Sequence, residues 1–319
     1  MAGKIFDCNE PIRIDAQAIA AWQSLPVAER SRRNRDWIGP RVIQWKQLQE
    51  ASLPHDPCHY RLFYLHAPKT GGTTLQHLIA KNYRVNDVLQ VNAKEALRNP
   101  GLLYKKGELP KSVITGHYDM GHLLYRALEG PFFHLTLLRH PVPRVLSLYN
   151  YMLGKTDHNH HQKAVTRSFP EFIQSVDIFE LSNGQTKRLA GSIGLKIDQP
   201  SSLGDEALEI AKDNLAHRFT CFGLQDRYTE LLLIMKQLLG WADIFYRCRN
   251  VSEKRVKKED MDQETLACIQ ERNYYDLALY DFASQLFEER CRQLGITQAR
   301  VEGFWKANDQ YLELLSRSL

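Results

Sequence analysis

Apolar residues fall along this chain in short, dense runs separated by longer stretches of mixed character. Arg61–Leu65 (RLFYL), Ser112–Thr115 (SVIT), Phe132–Leu138 (FFHLTLL), Phe219–Gly223 (FTCFG) and Asp243–Tyr246 (DIFY) are apolar or aromatic and bounded by turn residues, the pattern of short buried strands. Helical stretches alternate with them: Leu75–Tyr83, Val142–Met152 and Tyr228–Leu239. Pro141 introduces the second of these and suits a first helical turn. Such alternation predicts an α/β fold with a parallel sheet covered by helices on both faces. Residues 262–294 and 298–316 predict a helical C-terminal part, SFPEFIQSV opens a helix, and residues 154–168 read as an irregular polar surface loop.

Residues 1–58 read as an N-terminal helical extension and 59–319 as the main domain. Within the extension, Ala16–Leu25 has helical character and leads into the basic run Arg30, Arg32, Arg33, Arg35, while Pro54 and Pro57 mark the boundary. The basic run suits either a polyanion grip or a solvated helix face.

Composition narrows the class. With 319 residues, 43% hydrophobic and 25% charged, the chain can build a core of normal size. A net charge of +5 is compatible with an anionic ligand without requiring one. None of the six cysteines forms a CxxC pair, so a zinc or redox framework is not expected and reduced thiols are. No run approaches the roughly eighteen apolar residues of a membrane span. The N-terminus scatters charge where a leader needs an apolar block. The expectation is a soluble, cytoplasmic protein with no transmembrane segment.

Two constellations carry chemistry. His66-Ala67-Pro68-Lys69-Thr70-Gly71-Gly72-Thr73-Thr74 joins a predicted strand to a predicted helix. Backbone N–H groups at a helix N-terminus have no partner of their own and the helix dipole is positive there, so the join suits an anion. The glycines admit close backbone approach and the threonines add donors. A kinase-type loop places its lysine after the second glycine; here Lys69 precedes both. The loop therefore reads as a cradle for a single phosphosulfate, with Lys69 aimed at the bridging oxygen and no magnesium partner needed; a tight structural turn is the competing reading. The second constellation is Arg139, at a strand end, with Ser147 two turns into the next helix. A guanidinium fork and a hydroxyl can clamp a second phosphate, or form a surface ion pair and a packing contact.

Together HAPKTGGTTL (66–75), TGHYDMG (115–121), LLRHPVPRVLSLYNYM (137–152) and CFGLQDRYTELLLIMKQLLGW (221–241) resemble the sulfotransferases that use 3′-phosphoadenosine 5′-phosphosulfate (PAPS), in particular the carbohydrate 2-O-sulfotransferase branch and its bacterial relatives. The likeness spans about 60–290. It implies a P-loop-like fold, with Pro68, Lys69, Thr70, Gly71, Gly72, Thr73 and Thr74 at the 5′-phosphosulfate, and Arg139 with Ser147 at the 3′-phosphate. It also implies Lys69 at the departing phosphate, His117 as general base, the 3′,5′-bisphosphate (PAP) as product, and no metal. A loop at Lys254, Arg255, Lys257 and Lys258 would close over the nucleotide, or stay solvated.

His117 has a case of its own: it ends a predicted strand, and imidazole accepts protons near neutral pH. His66 and His122 are rivals for that role. His158, His160 and His161 suggest a mobile polar loop or one wall of an acceptor pocket rather than a metal site. Asn183, Gln185, Thr186 and Arg188 in NGQTKRLAG resemble a stretch that recurs in the bacterial relatives and carry no assigned role. The expected partner is a hydroxyl-bearing acceptor, a sugar, other small molecule or lipid, and not nucleic acid. The alternatives are a P-loop nucleotide kinase or NTPase, or a non-catalytic module that binds nucleotide or polyanion.

Overall fold

The computed structural model describes residues 12, 15–50, 60–91, 112–174, 178–192, 196–197, 199–247 and 261–317. Its centre is a five-stranded sheet in the order β2-β3-β1-β4-β5. The strands are β1 (Arg61–Leu65), β2 (Val88–Val91), β3 (Val113–Gly116), β4 (Phe132–Leu138) and β5 (Cys221–Leu224), and every pairing is parallel. All seven residues of β4 and all four of β5 are buried, so both faces of the sheet are covered. This is the expected α/β architecture.

Register decides where a site can form. Leu65 pairs with Gly116 on one side and Thr136 on the other, so β1 and β3 end level while β4 runs two residues further. From β1 the chain goes to β2 and β3, then crosses to β4 on the opposite flank. The crevice at the carboxyl end of β1 is thus the topological switch point, where ligands bind in open parallel sheets.

The flanking helices are α1 (Ala16–Ser24), α2 (Val27–Ile38), α3 (Trp45–Glu50), α4 (Gly72–Asn82), α5 (Pro141–Gly154), α6 (His161–Thr166), α7 (Phe169–Ile173), α8 (Gly184–Ala190), α9 (Ser202–His217), α10 (Tyr228–Leu239), α11 (Gln263–Arg272), α12 (Tyr274–Gln293) and α13 (Gln298–Arg317). Helix α10 occupies the predicted span. Residues 262–294 divide at Asn273 into α11 and α12. Asn273 uses its side chain to bond the Leu181 and Ile269 carbonyls, at 2.9 and 3.0 Å.

Three expectations need correction. Asp243–Tyr246 is not a strand: Asn308 on α13 donates to the Tyr246 carbonyl and accepts from its N–H, at 3.1 and 2.9 Å, replacing a ladder partner. Phe245 and Tyr246 meanwhile pack on Phe304 of α13. The 154–168 segment is not wholly irregular, because it contains α6. Strand β2, absent from the pattern reading, is a four-residue edge strand with one fully buried residue, too short and too exposed to leave an apolar run.

The described part of the N-terminal extension joins the same core. Trp22 and Trp37 are buried in the cluster that fills the sheet face, and Ile43 N–H donates to the Phe132 carbonyl at 2.9 Å. Arg32 and Arg33 pair with Glu29, and Arg32 also pairs with Asp36. Among the described residues no helix is long and apolar enough to cross a membrane.

Candidate functional site

The turn after β1 is shaped by backbone conformations that most residues avoid. Lys69 (φ 67°) and Gly71 (φ 92°) both lie in the left-handed region. Gly72 opens α4 directly on the His66 ring: a Cβ there would stand 1.9 Å from His66 Nε2, so only glycine fits. Thr70 is fully buried and its hydroxyl donates to the Ala67 carbonyl at 2.8 Å, fastening the loop from inside. Its hydroxyl therefore serves the loop, leaving the backbone N–H groups, Thr73 and Thr74 to face outward; Thr73 is exposed and Thr74 half-buried. No acidic residue occupies the first turn of α4, so nothing from the helix itself neutralises its positive end. Lys69 Nζ lies 4.2 Å above the ring of Tyr151 on α5.

Arg139 follows β4 and reaches this loop: its Nη1 donates to the Lys69 carbonyl at 3.2 Å. The two predicted anion stations are therefore neighbours. Ser147 is half-buried on α5. It lies four residues before Tyr151, hence on the same helix face, and that face borders the loop because Tyr151 sits under Lys69. Arg144 turns the other way. Fully buried, it pairs with Glu180 (3.1 Å) and Asp276 (3.4 Å). Burial alone would raise the Glu180 carboxyl, but Arg188 and Arg144 more than offset it and hold the group below the usual carboxylate range.

His117 stands one residue beyond β3 and is open to solvent. Its Nδ1 lies 2.7 Å from the His66 carbonyl oxygen. A carbonyl only accepts, so Nδ1 carries the hydrogen and the Nε2 lone pair is free. Desolvation of the ring where it packs on the protein lowers the His117 pKa; the bond to His66 opposes that shift, and nearby Arg188 and Lys69 reinforce it. The ring is thus a neutral acceptor at physiological pH.

The rival histidines are otherwise engaged. His66 is buried, stacked on Tyr64 and lowered to about 3, first by burial and then by His117, Arg188 and Lys69, and Gly72 covers its Nε2. His122 caps the turn that follows it, its Nδ1 accepting from Leu124 N–H at 3.1 Å. Among the trio at 158–161, His158 packs edge-on to Tyr151 at 5.5 Å, so this segment reaches the rim of the site. His161 Nδ1 is 2.9 Å from the Met152 carbonyl and secures the segment to α5. Lys254 and Arg255 lie outside the described residues.

Helix α8, whose sequence carried no assigned role, braces both halves of the site. Gln185 bonds the backbone of Arg139, while Arg188 Nη1 donates to the Tyr118 carbonyl at 2.9 Å, next to His117. Met120 N–H donates to the Arg188 carbonyl at 3.0 Å. From the opposite side, Asn34 Nδ2 donates to the Met120 and His122 carbonyls at 2.7 and 2.9 Å, and Trp22 Nε1 donates to the Gly121 carbonyl at 3.0 Å. Sequence reasoning singled out Gln185 and Arg188 without a role and missed Tyr151 and Asp276. The polar run NGQTKR inside an otherwise apolar neighbourhood was the available signal.

A model of the sulfotransferase family matches residues 57–283, a segment that contains the loop, His117, Arg139, α8 and Asp276. Heparan-sulfate 6-O-sulfotransferase 2 of Gallus gallus is similar at 24% identity over 280 residues, covering 73% of this chain and 68% of that protein. That relative, too, is named for a carbohydrate, though with a 6-O position where the sequence motifs resembled a 2-O branch. The chain belongs to the sulfotransferase family.

Proposed function

We propose that this protein transfers a sulfuryl group from PAPS to a hydroxyl of a carbohydrate or glycoconjugate acceptor by in-line displacement. The observation that carries the reading is the bond from His117 to the His66 carbonyl. It commits the imidazole to the tautomer whose Nε2 can take a proton, and it does so beside the loop at the N-terminus of α4. In this reading His117 removes the acceptor's proton as its oxygen attacks sulfur. Lys69, the loop N–H groups and Thr73 or Thr74 stabilise the charge that grows on the leaving phosphate, help that counts because it is aimed where charge develops. Arg139 and Ser147 hold the 3′-phosphate, with Lys254 or Arg255 as a further contact. The carbohydrate acceptor follows from the name of the chicken relative and from the family branch that the motifs resemble.

Support for a phosphosulfate rather than a nucleoside triphosphate comes from lysine placement. Lys69 stands ahead of both glycines in a left-handed conformation, where a kinase-type loop carries its lysine at the helix start.

Calorimetric titration tests the donor. Adenosine 3′,5′-bisphosphate is expected to bind without metal and ATP with magnesium is not; tight binding of ATP–magnesium with none of the bisphosphate overturns the reading. Incubation with 35S-labelled PAPS and a glycan panel then identifies the acceptor. Label on a lipid or peptide but on no glycan would replace the acceptor assignment.

A further inference from the structure

Gln185 makes an unusual pair of bonds. The Arg139 N–H donates to its Oε1 at 2.9 Å, and its Nε2 donates to the Arg139 carbonyl at 2.9 Å. This is the two-bond pairing that a neighbouring strand would supply, delivered by a side chain to the residue just past the end of β4. Arg139 is thereby held as if the sheet continued by one residue.

Gln185 is itself seated from below. Asp276 Oδ2 accepts from both its backbone N–H (3.2 Å) and its Nε2 (3.4 Å). Asp276 Oδ1 accepts from Thr186 N–H (2.7 Å) and the Thr186 hydroxyl (2.8 Å), and Arg144 balances its charge. Asn183 fixes Asp276 in turn by accepting its N–H at 3.0 Å. Gln185, Thr186 and Asp276 are all buried. A buried carboxylate that spends its acceptors on one short helix fixes that helix and the amide it presents.

Resting on the donor reading above, we propose that Gln185, seated by Asp276, is the positioning residue that aims Arg139 at the donor's 3′-phosphate. The amide clamp fixes the Arg139 backbone and the Lys69 carbonyl anchors the guanidinium. The side chain is thus ordered before the ligand arrives, which removes an ordering cost from binding. Gln185 touches no ligand atom in this arrangement and acts through Arg139.

The test compares two ligands that differ only in the 3′-phosphate. By calorimetry, Gln185→Met is expected to weaken adenosine 3′,5′-bisphosphate about tenfold, the size of a well-made hydrogen bond. Adenosine 5′-monophosphate should stay within about twofold. In turnover, KM for PAPS rises while kcat holds. In an Arg139→Ala background the same substitution should cost nothing more for the bisphosphate. A purely structural role predicts equal weakening of both nucleotides, or of neither, and either result overturns the proposal; so does an additive double variant. If Gln185→Met does not fold, Gln185→Asn carries the same comparison, since it keeps a neutral amide in the buried site but is one methylene too short to bond the Arg139 backbone. Wild-type protein that binds both nucleotides equally would overturn the donor reading itself, a failure distinct from that of Gln185.

Discussion

His117 and His66 are joined through one nitrogen and one carbonyl: Nδ1 of His117 lies 2.7 Å from the backbone oxygen of His66, with the two rings 4.4 Å apart. Because β1 and β3 end level, the residues that follow Leu65 and Gly116 meet at the same height. The sheet register thus sets the tautomer of the proposed base.

Loss of that base should appear in rate and not in stability. His117 is exposed, so His117→Ala is expected to lower kcat by about 10²–10⁴ while leaving the thermal midpoint nearly unchanged. Because the ring's pKa is lowered from its ordinary 6.5, the rate should rise through an apparent pKa below 6.5 and be flat at neutral pH. A profile that still climbs above pH 7 would assign the base elsewhere.

Acid sensitivity of the fold has identifiable carriers. His66 and His134 are both lowered to about 3 by burial, against an ordinary 6.5. Between those values the unfolded chain binds protons that the native state does not, so stability falls as pH drops from about 6.5 toward 3. The slope is at most about 1.4 kcal/mol per pH unit for each ring. Denaturant titrations at pH 7, 5.5 and 4 should show the decline, and His134→Asn should flatten it.

Arg144 and Arg139, five residues apart in the chain, make a contrast. Arg144→Met leaves Glu180 and Asp276 buried beside a lost partner, and should cost about 3–5 kcal/mol in chemical denaturation. Arg139→Ala, at a half-buried site, should cost far less stability and instead weaken bisphosphate binding. Equal melting temperatures for the two variants would contradict the division.

Gly72→Ala pushes a methyl group into the His66 ring and should cost about 1–3 kcal/mol as overpacking. His66→Ala in the same chain empties the space, so the double variant should be less destabilised than the sum of the two. Additive costs would mean that the contact is not the cause.

The sheet was legible where strands are buried on both faces. RLFYL and FFHLTLL have no alternation to confuse with a helix and end in turn residues, and β1 and β4 occupy those spans. DIFY carried the same apolar signature without a ladder partner, because Asn308, 62 residues away, takes its backbone groups. The loop and Arg139 were legible because a strand exit confines chemistry to a few positions. Gln185 and Asp276 were not: they stand 46 and 137 residues from Arg139, and a buried polar side chain inside a helix has no local signature until the fold brings its partner near.

The N-terminal helices hold the segment after His117 from behind, through Trp22 on the Gly121 carbonyl and Asn34 on those of Met120 and His122. The family match begins at residue 57, past both of these side chains. A shortened protein started there would strip three acceptors of their donors and open the rear wall of the turn that follows His117 to water. The smallest unit that keeps the His117 turn rigid is therefore larger than the segment that the family model matches.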